Sequence, residues 1–212
     1  MQTDIYFVRH GQTAANRGWR INGETEEALT EVGRWQAQCV AQRLVDQGIQ
    51  ALYTSPLLRA WETATIIGDW LNLQPEKVPE IRELNTGEAS GLHSLQFLLR
   101  YPRLLWAWAH DDVALCFPGG DVLGEFYQRV KNALDMLISR HPNQTIAVVA
   151  HGGSISAALS ILLFGQGSNR FAWKLRNTGL SLIRIQPGQQ PQLLLFNDTS
   201  HLMVQKIGPL GT

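Results

Sequence analysis

Residues 5–16 read Ile5-Tyr6-Phe7-Val8-Arg9-His10-Gly11-Gln12-Thr13-Ala14-Ala15-Asn16. The first four are β-branched or aromatic, run without interruption and give way to polar residues, which predicts a buried strand. A guanidinium, an imidazole and a glycine follow it directly. The pattern returns far downstream, where the apolar run Ala147-Val148-Val149-Ala150 is followed by His151-Gly152-Gly153. A third, weaker strand, Gln50-Ala51-Leu52-Tyr53-Thr54, precedes Ser55-Pro56, with Arg59 one turn further on. Ligands of open α/β sheets bind beyond the carboxyl ends of the strands. The three runs therefore predict that Arg9, His10, Arg59 and His151 project to one edge.

Helical patterns alternate with these strands. Thr30 is the expected N-cap of a helix to about Gln47, with apolar residues at Val32, Trp35, Cys39, Val40 and Leu44 and a stop at Gly48. Ser55 is the expected cap of a second helix, with Pro56 at its first position and an end near Leu71. Leu123 to Ser139 is a third, stopped near Pro142, and Ser154 to Leu163 a short, very apolar fourth ended by Gly165. Leu180–Ile185 and Leu193–Phe196 flank a Pro-Gly turn and predict a hairpin, whose exposed edge could support a homodimer. Such alternation predicts an α/β fold, a three-layer sandwich whose mostly parallel sheet is flanked by helices. One domain over 1–212 is expected from the length. One stretch breaks the rhythm: Leu92 to Gly120 shows no strand, holds Phe97, Tyr101, Trp106, Trp108 and Phe117, and is interrupted by Pro102 and Pro118. It reads as a helical excursion and a candidate lid (92–120).

Composition narrows the partners. The hydrophobic fraction is 44% and the formal net charge +0, which argues against a broad nucleic-acid surface. Arginine outnumbers lysine, which suits bidentate recognition of oxyanions. The two cysteines, Cys39 and Cys116, form no CxxC, which argues against a cysteine metal site. No apolar run is long enough to span a bilayer, and the first residues carry no signal-like stretch, so a cytoplasmic protein without membrane contact is expected.

A lone strand-end histidine is usually structural, and a lone helix-start arginine is usually a solvated charge. Their joint placement changes the reading. Two imidazoles and two guanidiniums meet at strand–helix junctions, where Gly11 and Gly152 let backbone N–H groups approach and helix N-termini favour anions. A phosphoryl group fits that set.

The segment Val8-Arg9-His10-Gly11-Gln12-Thr13-x-x-Asn16 resembles the Arg-His-Gly signature of the histidine phosphatase superfamily, in the branch that includes the cofactor-dependent phosphoglycerate mutases. Leu29-Thr30-Glu31-x-Gly33-x-x-Gln36-Ala37 and Ser55-Pro56-Leu57-x-Arg59-Ala60-x-x-Thr63-Ala64 resemble its next two motifs. Ile81-Arg82-Glu83-Leu84-x-x-Gly87-x-x-x-Gly91, Pro118-Gly119-Gly120 and Val149-x-His151-Gly152-Gly153 follow in the family's order, and Asn177 and His201-Leu202 echo weaker features. The likeness spans nearly the whole chain and implies the phosphoglycerate mutase-like fold. It implies that His10 is a nucleophile forming a phosphohistidine, and that Arg9, Arg59 and His151 stabilise the phosphoryl oxygens. Glu83 takes the position of the acid that protonates the leaving group, with Glu88 nearby as a rival. Arg9, Gly11, Asn16, Gly23, Arg59 and Gly152 take the substrate-binding positions. Fixed cations stand where other phosphoryl-transfer enzymes use metal ions, so neither metal nor cofactor is implied.

The chain also departs from the family's pattern. Glu24, Glu26 and Glu27 line the loop after the signature, Gly87-Glu88-Ala89-Ser90-Gly91 replaces a tryptophan-containing motif, and Gly120-Asp121-Val122 replaces Gly-Glu-Ser. None of these changes touches the catalytic set; they bear on the substrate. Three functions compete for this set of residues. A phosphomonoesterase acting on a small-molecule phosphate ester is favoured, near the broad-specificity phosphatases. A phosphoglycerate mutase would carry an Arg-rich insertion to grip a carboxylate, whereas Leu92 to Gly120 is aromatic and its few cations include just two arginines, Arg100 and Arg103, with His110. A non-catalytic phospholigand-binding relative is disfavoured by the intact His10, Arg59, Glu83 and His151.

Overall fold

The computed structural model describes residues 2–168, 171 and 174–203. In chain order its elements are β1 (Thr3–Arg9), α1 (Ala14–Arg17), α2 (Glu31–Leu44), β2 (Ile49–Thr54), α3 (Leu58–Leu71) and β3 (Glu76–Lys77). There follow α4 (Ser94–Arg100), α5 (Pro102–Ala109), α6 (Leu123–Arg140), β4 (Thr145–Ala150), α7 (Gly152–Phe164), β5 (Leu180–Ile185) and β6 (Gln192–Asp198). The strands form one mixed sheet in the order β3-β2-β4-β1-β5-β6. Strands β3, β2, β4 and β1 are parallel, and the β5–β6 hairpin adds antiparallel to β1. Among the described residues, no helix is long and apolar enough to cross a membrane.

The period-two geometry of a strand explains the layers. Ile5 and Phe7 face one side, with Ile146 and Val148 of β4, against α6 and α7. Tyr6 and Val8 face the other, with Ala147 and Val149, against Val40, Ala41 and Leu44 of α2 and Ala60, Ala64 and Ile67 of α3. Both faces are buried, as expected for parallel strands that read as continuous apolar runs.

Three local expectations are corrected. The helix capped by Thr30, whose side chain accepts from the Gly33 N–H at 3.0 Å, ends at Leu44 rather than near Gln47. Its buried stripe runs through Gly33, Ala37, Val40, Ala41 and Leu44, which leaves Val32 off the stripe and exposed. Ser55 does not cap the next helix, which starts at Leu58 with Leu57 as a cap that makes no side-chain bond. The two-residue β3 was not legible in the sequence, since Glu76 and Lys77 are both exposed and carry no strand pattern.

Candidate active site

The parallel register brings the ends of β1, β2 and β4 together. The His10 N–H donates to Ala150 O and the Ser55 N–H to Val149 O, both at 3.0 Å, so the residues just past the three strands share one edge. A cavity of about 310 Å³ opens there. Arg9, His10, Asn16, Gly23, Arg59, Glu83 and Gly152 all line it. His151 lies against this set, its ring centroid 5.2 Å from that of His10.

His10 is buried, and its Nδ1 lies 2.7 Å from Gly11 O. A carbonyl only accepts, so Nδ1 carries the hydrogen of the neutral ring and Nε2 keeps its lone pair. Burial, then the charges of Arg59 and Arg9, push the His10 pKa well below the usual histidine value. His151 is pushed the same way by burial, Arg59, His10 and Arg9. Its Nε2 lies 2.7 Å from Ser55 Oγ, which also accepts from the Leu57 N–H at 3.3 Å. The serine hydrogen is then free to point at Nε2, which leaves the His151 proton on Nδ1 as a donor.

Arg59 is wholly buried in the first turn of α3. Its Nη1 donates to Thr25 O and its Nη2 to Gly23 O, each at 2.6 Å, so one guanidinium fixes the 23–25 loop. Arg9 donates to Leu175 O. Among the described residues, Arg9 Nε, Arg59 Nε and His151 Nδ1 are buried without a hydrogen-bond partner. Buried donors are almost always satisfied. Three unpaired ones around a single imidazole make a concentrated anion-seeking set.

Glu83 lines the cavity through bonds that orient both oxygens: Oε1 accepts from the Leu84 N–H and Oε2 from the Gly153 N–H, each at 3.0 Å. A Cβ at position 153 would stand 2.4 Å from Glu83 Oε1, so glycine there lets the carboxylate meet the start of α7. The rival Glu88 accepts from the Tyr101 hydroxyl at 3.1 Å and does not line the cavity. The three loop glutamates are engaged elsewhere. Glu24 pairs with Arg82, Glu26 accepts from the Leu58 N–H and Glu27 from the Ala15 N–H.

Gly11 and His151 are the two candidates that do not line the cavity, His151 standing behind His10 and Gly11 turned into the packing. The Gly11 N–H donates to Thr63 Oγ1 at 3.0 Å, and a Cβ there would stand 2.4 Å from Gly33 O. This glycine seats β1 against the start of α2. Asn16 accepts from Asn177 Nδ2 at 3.0 Å, and the same Nδ2 donates to His10 O at 3.0 Å, so both asparagines steady the loop behind His10.

Sequence reasoning missed several residues. Ser55 sets the His151 tautomer instead of capping a helix. Arg129 donates to Arg82 O at 3.1 Å and pairs with Asp121 at 3.0 Å, holding the Glu83 segment from behind. Trp19, Leu123, Phe126 and Tyr127 line the cavity, as Trp108 does from the excursion, whereas Trp106 does not. No local pattern marks Trp19 or Arg129; only the fold brings them to the site.

Comparison with known proteins agrees with this geometry. The chain matches the histidine phosphatase superfamily (branch 1) over residues 5–199. It is 31% identical over 198 residues to phosphoserine phosphatase 1 of Hydrogenobacter thermophilus, covering 93% of each chain. It is 34% identical over 206 residues to a probable phosphoglycerate mutase of Erwinia tasmaniensis, covering 93% of this chain and 94% of that relative. Among solved structures, a histidine-to-alanine mutant of phosphoserine phosphatase from Entamoeba histolytica, in complex with phosphoserine, matches with a TM-score of 0.81. It is 28% identical, and the match covers 94% of this chain and 99% of that one.

Proposed function

The chain belongs to branch 1 of the histidine phosphatase superfamily, and from that membership we propose that it is a metal-independent phosphomonoesterase working through a phosphohistidine on a small organic phosphate. The observation that carries the reading is the neutral, buried His10 ringed by the unpaired donors of Arg9, Arg59 and His151.

In the first step the Nε2 lone pair of His10 attacks phosphorus. The bond from phosphorus to the ester oxygen breaks, and Glu83 gives its proton to that oxygen as the alcohol leaves. Arg9, Arg59 and His151 Nδ1–H hold the equatorial oxygens, and preorganised donors of this kind are each worth about 10²–10³ in rate. In the second step the Glu83 carboxylate takes a proton from water, the hydroxide oxygen attacks phosphorus, and the P–N electron pair returns to Nε2. Phosphate leaves, and His10 and Glu83 are restored. Relatives named phosphatases support hydrolysis over isomerisation. So do the aromatic side chains of the cavity lining, Trp19, Trp108, Phe126 and Tyr127, while Arg100 and Arg103 lie outside the cavity. Cys116 carries a free thiol, which suits a cytoplasmic setting.

The test is hydrolysis of p-nitrophenyl phosphate in excess EDTA, with quenching to trap the intermediate. Full activity and an acid-labile, base-stable phosphoprotein are expected. Activity lost on chelation and restored by a divalent ion would overturn the mechanism.

A further inference from the structure

The rim of the cavity is built around an unusual residue. Trp19, just past α1, lines the mouth and is 74% exposed, with φ at 53°, in the left-handed region where a bulky side chain is an outlier. A lone exposed tryptophan would need no explanation. This one is held in place by hydrogen bonds. Its carbonyl accepts from both the Ser94 N–H (2.9 Å) and the Ser94 hydroxyl (2.8 Å). On its far side the Ile21 N–H donates to Leu92 O at 2.9 Å, and the Gly91 N–H to Ile21 O at 2.7 Å. Strained backbone persists only where its surroundings over-determine it, and such places cluster at ligand clamps. Trp108, Phe126 and Tyr127 line the same cavity. Trp108 is fixed edge-on to Phe97 and Phe117, and the Tyr127 hydroxyl is tied to Asp111 at 2.8 Å. Arg20 also lines the rim, but one of its Nη groups is taken by Gly91 O at 2.8 Å.

We infer that Trp19 is a specificity-determining residue, its indole covering a planar apolar leaving group received between the rim and the aromatic wall. The substrate class is then a phosphate ester of an aryl-bearing alcohol rather than of a small hydroxy acid. This rests on the phosphatase reading and deepens it. Aromatic area removed from water supplies the binding, and the backbone bonds at Trp19 and Ile21 fix where the side chain leaves the chain before the substrate arrives.

The experiment compares kcat/KM for ethyl phosphate, 2-phenylethyl phosphate and phosphoserine. Each expels a primary alkoxide, so the comparison reads recognition of the organic group. The wild type should prefer the phenylethyl ester over both others by about tenfold or more. Trp19→Asn removes the ring with a residue that tolerates left-handed backbone. It should cut the phenylethyl-to-ethyl ratio by about tenfold, chiefly through KM, and Trp19→Phe should restore most of it. An unchanged ratio in Trp19→Asn overturns the inference. So does a wild-type preference for phosphoserine that Arg20→Ala abolishes, which would give the rim to a carboxylate. The wild-type preference is read whether or not a variant folds. Turnover of none of these esters nor of p-nitrophenyl phosphate overturns the phosphatase reading itself, a result distinct from either of these.

Discussion

The two halves of the cavity are built differently. On one side, His10, Arg59 and His151 are almost wholly buried and follow three parallel strands paired side by side. On the other, α4 and α5 are only 7 and 8 residues long, and α5 buries no residue fully. Leu99 and Trp106 of this excursion are 75% and 62% exposed. Its inner side packs into the body's core through Phe97, Leu115 and Phe117, with Trp108 edge-on to Phe97 and Phe117, and the Asp111 carboxylate accepts from both the Tyr127 and Ser168 hydroxyls. The stiff half can hold charges at fixed distances, which phosphoryl transfer requires. The excursion lies outside the sheet, so its side chains can change without disturbing the strands, and so can set which alcohol is accepted.

The contrast is tested most severely at His10. His10→Ala should lower turnover by at least about 10⁴-fold, since a covalent mechanism has no substitute nucleophile. The melting transition should remain cooperative, because the ladder around residue 10 is made by backbone groups. A folded variant retaining a tenth of the activity would show that the stiff half does not carry the chemistry.

Glu83→Gln should come next in size, at about 10²–10⁴-fold for alkyl esters. The loss should be much smaller for p-nitrophenyl phosphate, whose leaving group needs little protonation. Equal losses on both substrates would remove Glu83 as the acid. Glu88 would not replace it, because it faces Tyr101 outside the cavity.

A smaller effect should appear in stability against pH. Burial, with the neighbouring arginines, holds the pKa values of folded His10 and His151 well below the usual histidine value. In the unfolded chain they protonate near pH 6.5. Below that pH the unfolded state binds more protons, so stability falls on acidification until the folded-state values are reached. Above it both states are neutral and these groups contribute no slope. The Tm should therefore drop between pH 7 and pH 5, and the drop should be shallower in the double variant His10→Gln, His151→Gln. An identical drop in both proteins would locate the acid sensitivity elsewhere.

The same division explains what the sequence disclosed. Arg9, His10, Arg59 and His151 were legible because each lies within a turn of a strand whose apolar run announces it, and the strand ends converge by topology alone. Strands β1, β2 and β4, the β5–β6 hairpin and the helices α2, α3, α6 and α7 were legible for the same reason, to within a few residues at their ends. Glu83 lies on no such element, and only the family resemblance pointed to it. Gly11 was misplaced because a glycine beside a phosphate site and a glycine pressed against Gly33 look alike until the packing is seen. Ser55 was read as a helix cap because Ser-Pro has that chemistry locally; a bond to His151, 96 positions away, has no local trace. Trp19 escaped notice because its place at the rim depends on hydrogen bonds from the 91–94 segment.

The smallest expected effect falls at Trp106, and it separates the two tryptophans of the excursion. They are two residues apart on α5 and so cannot share a helical face. Trp108 turns inward onto Phe97 and Phe117 and lines the cavity. Trp106 turns outward and stacks on His110, with ring centroids 4.2 Å apart. Truncating Trp108 would open the aromatic wall and loosen the excursion together. Trp106→Ala removes only a surface stack, a class of change usually worth within about 0.5 kcal/mol in stability. Kinetic constants for ethyl and 2-phenylethyl phosphate should both stay within about twofold of the wild type, a factor equivalent to less than half a kcal/mol. A selective rise in KM for the phenylethyl ester in Trp106→Ala would mean that the outer face of α5 reaches the substrate. The excursion would then close over the cavity as a moving lid rather than stand as its fixed wall.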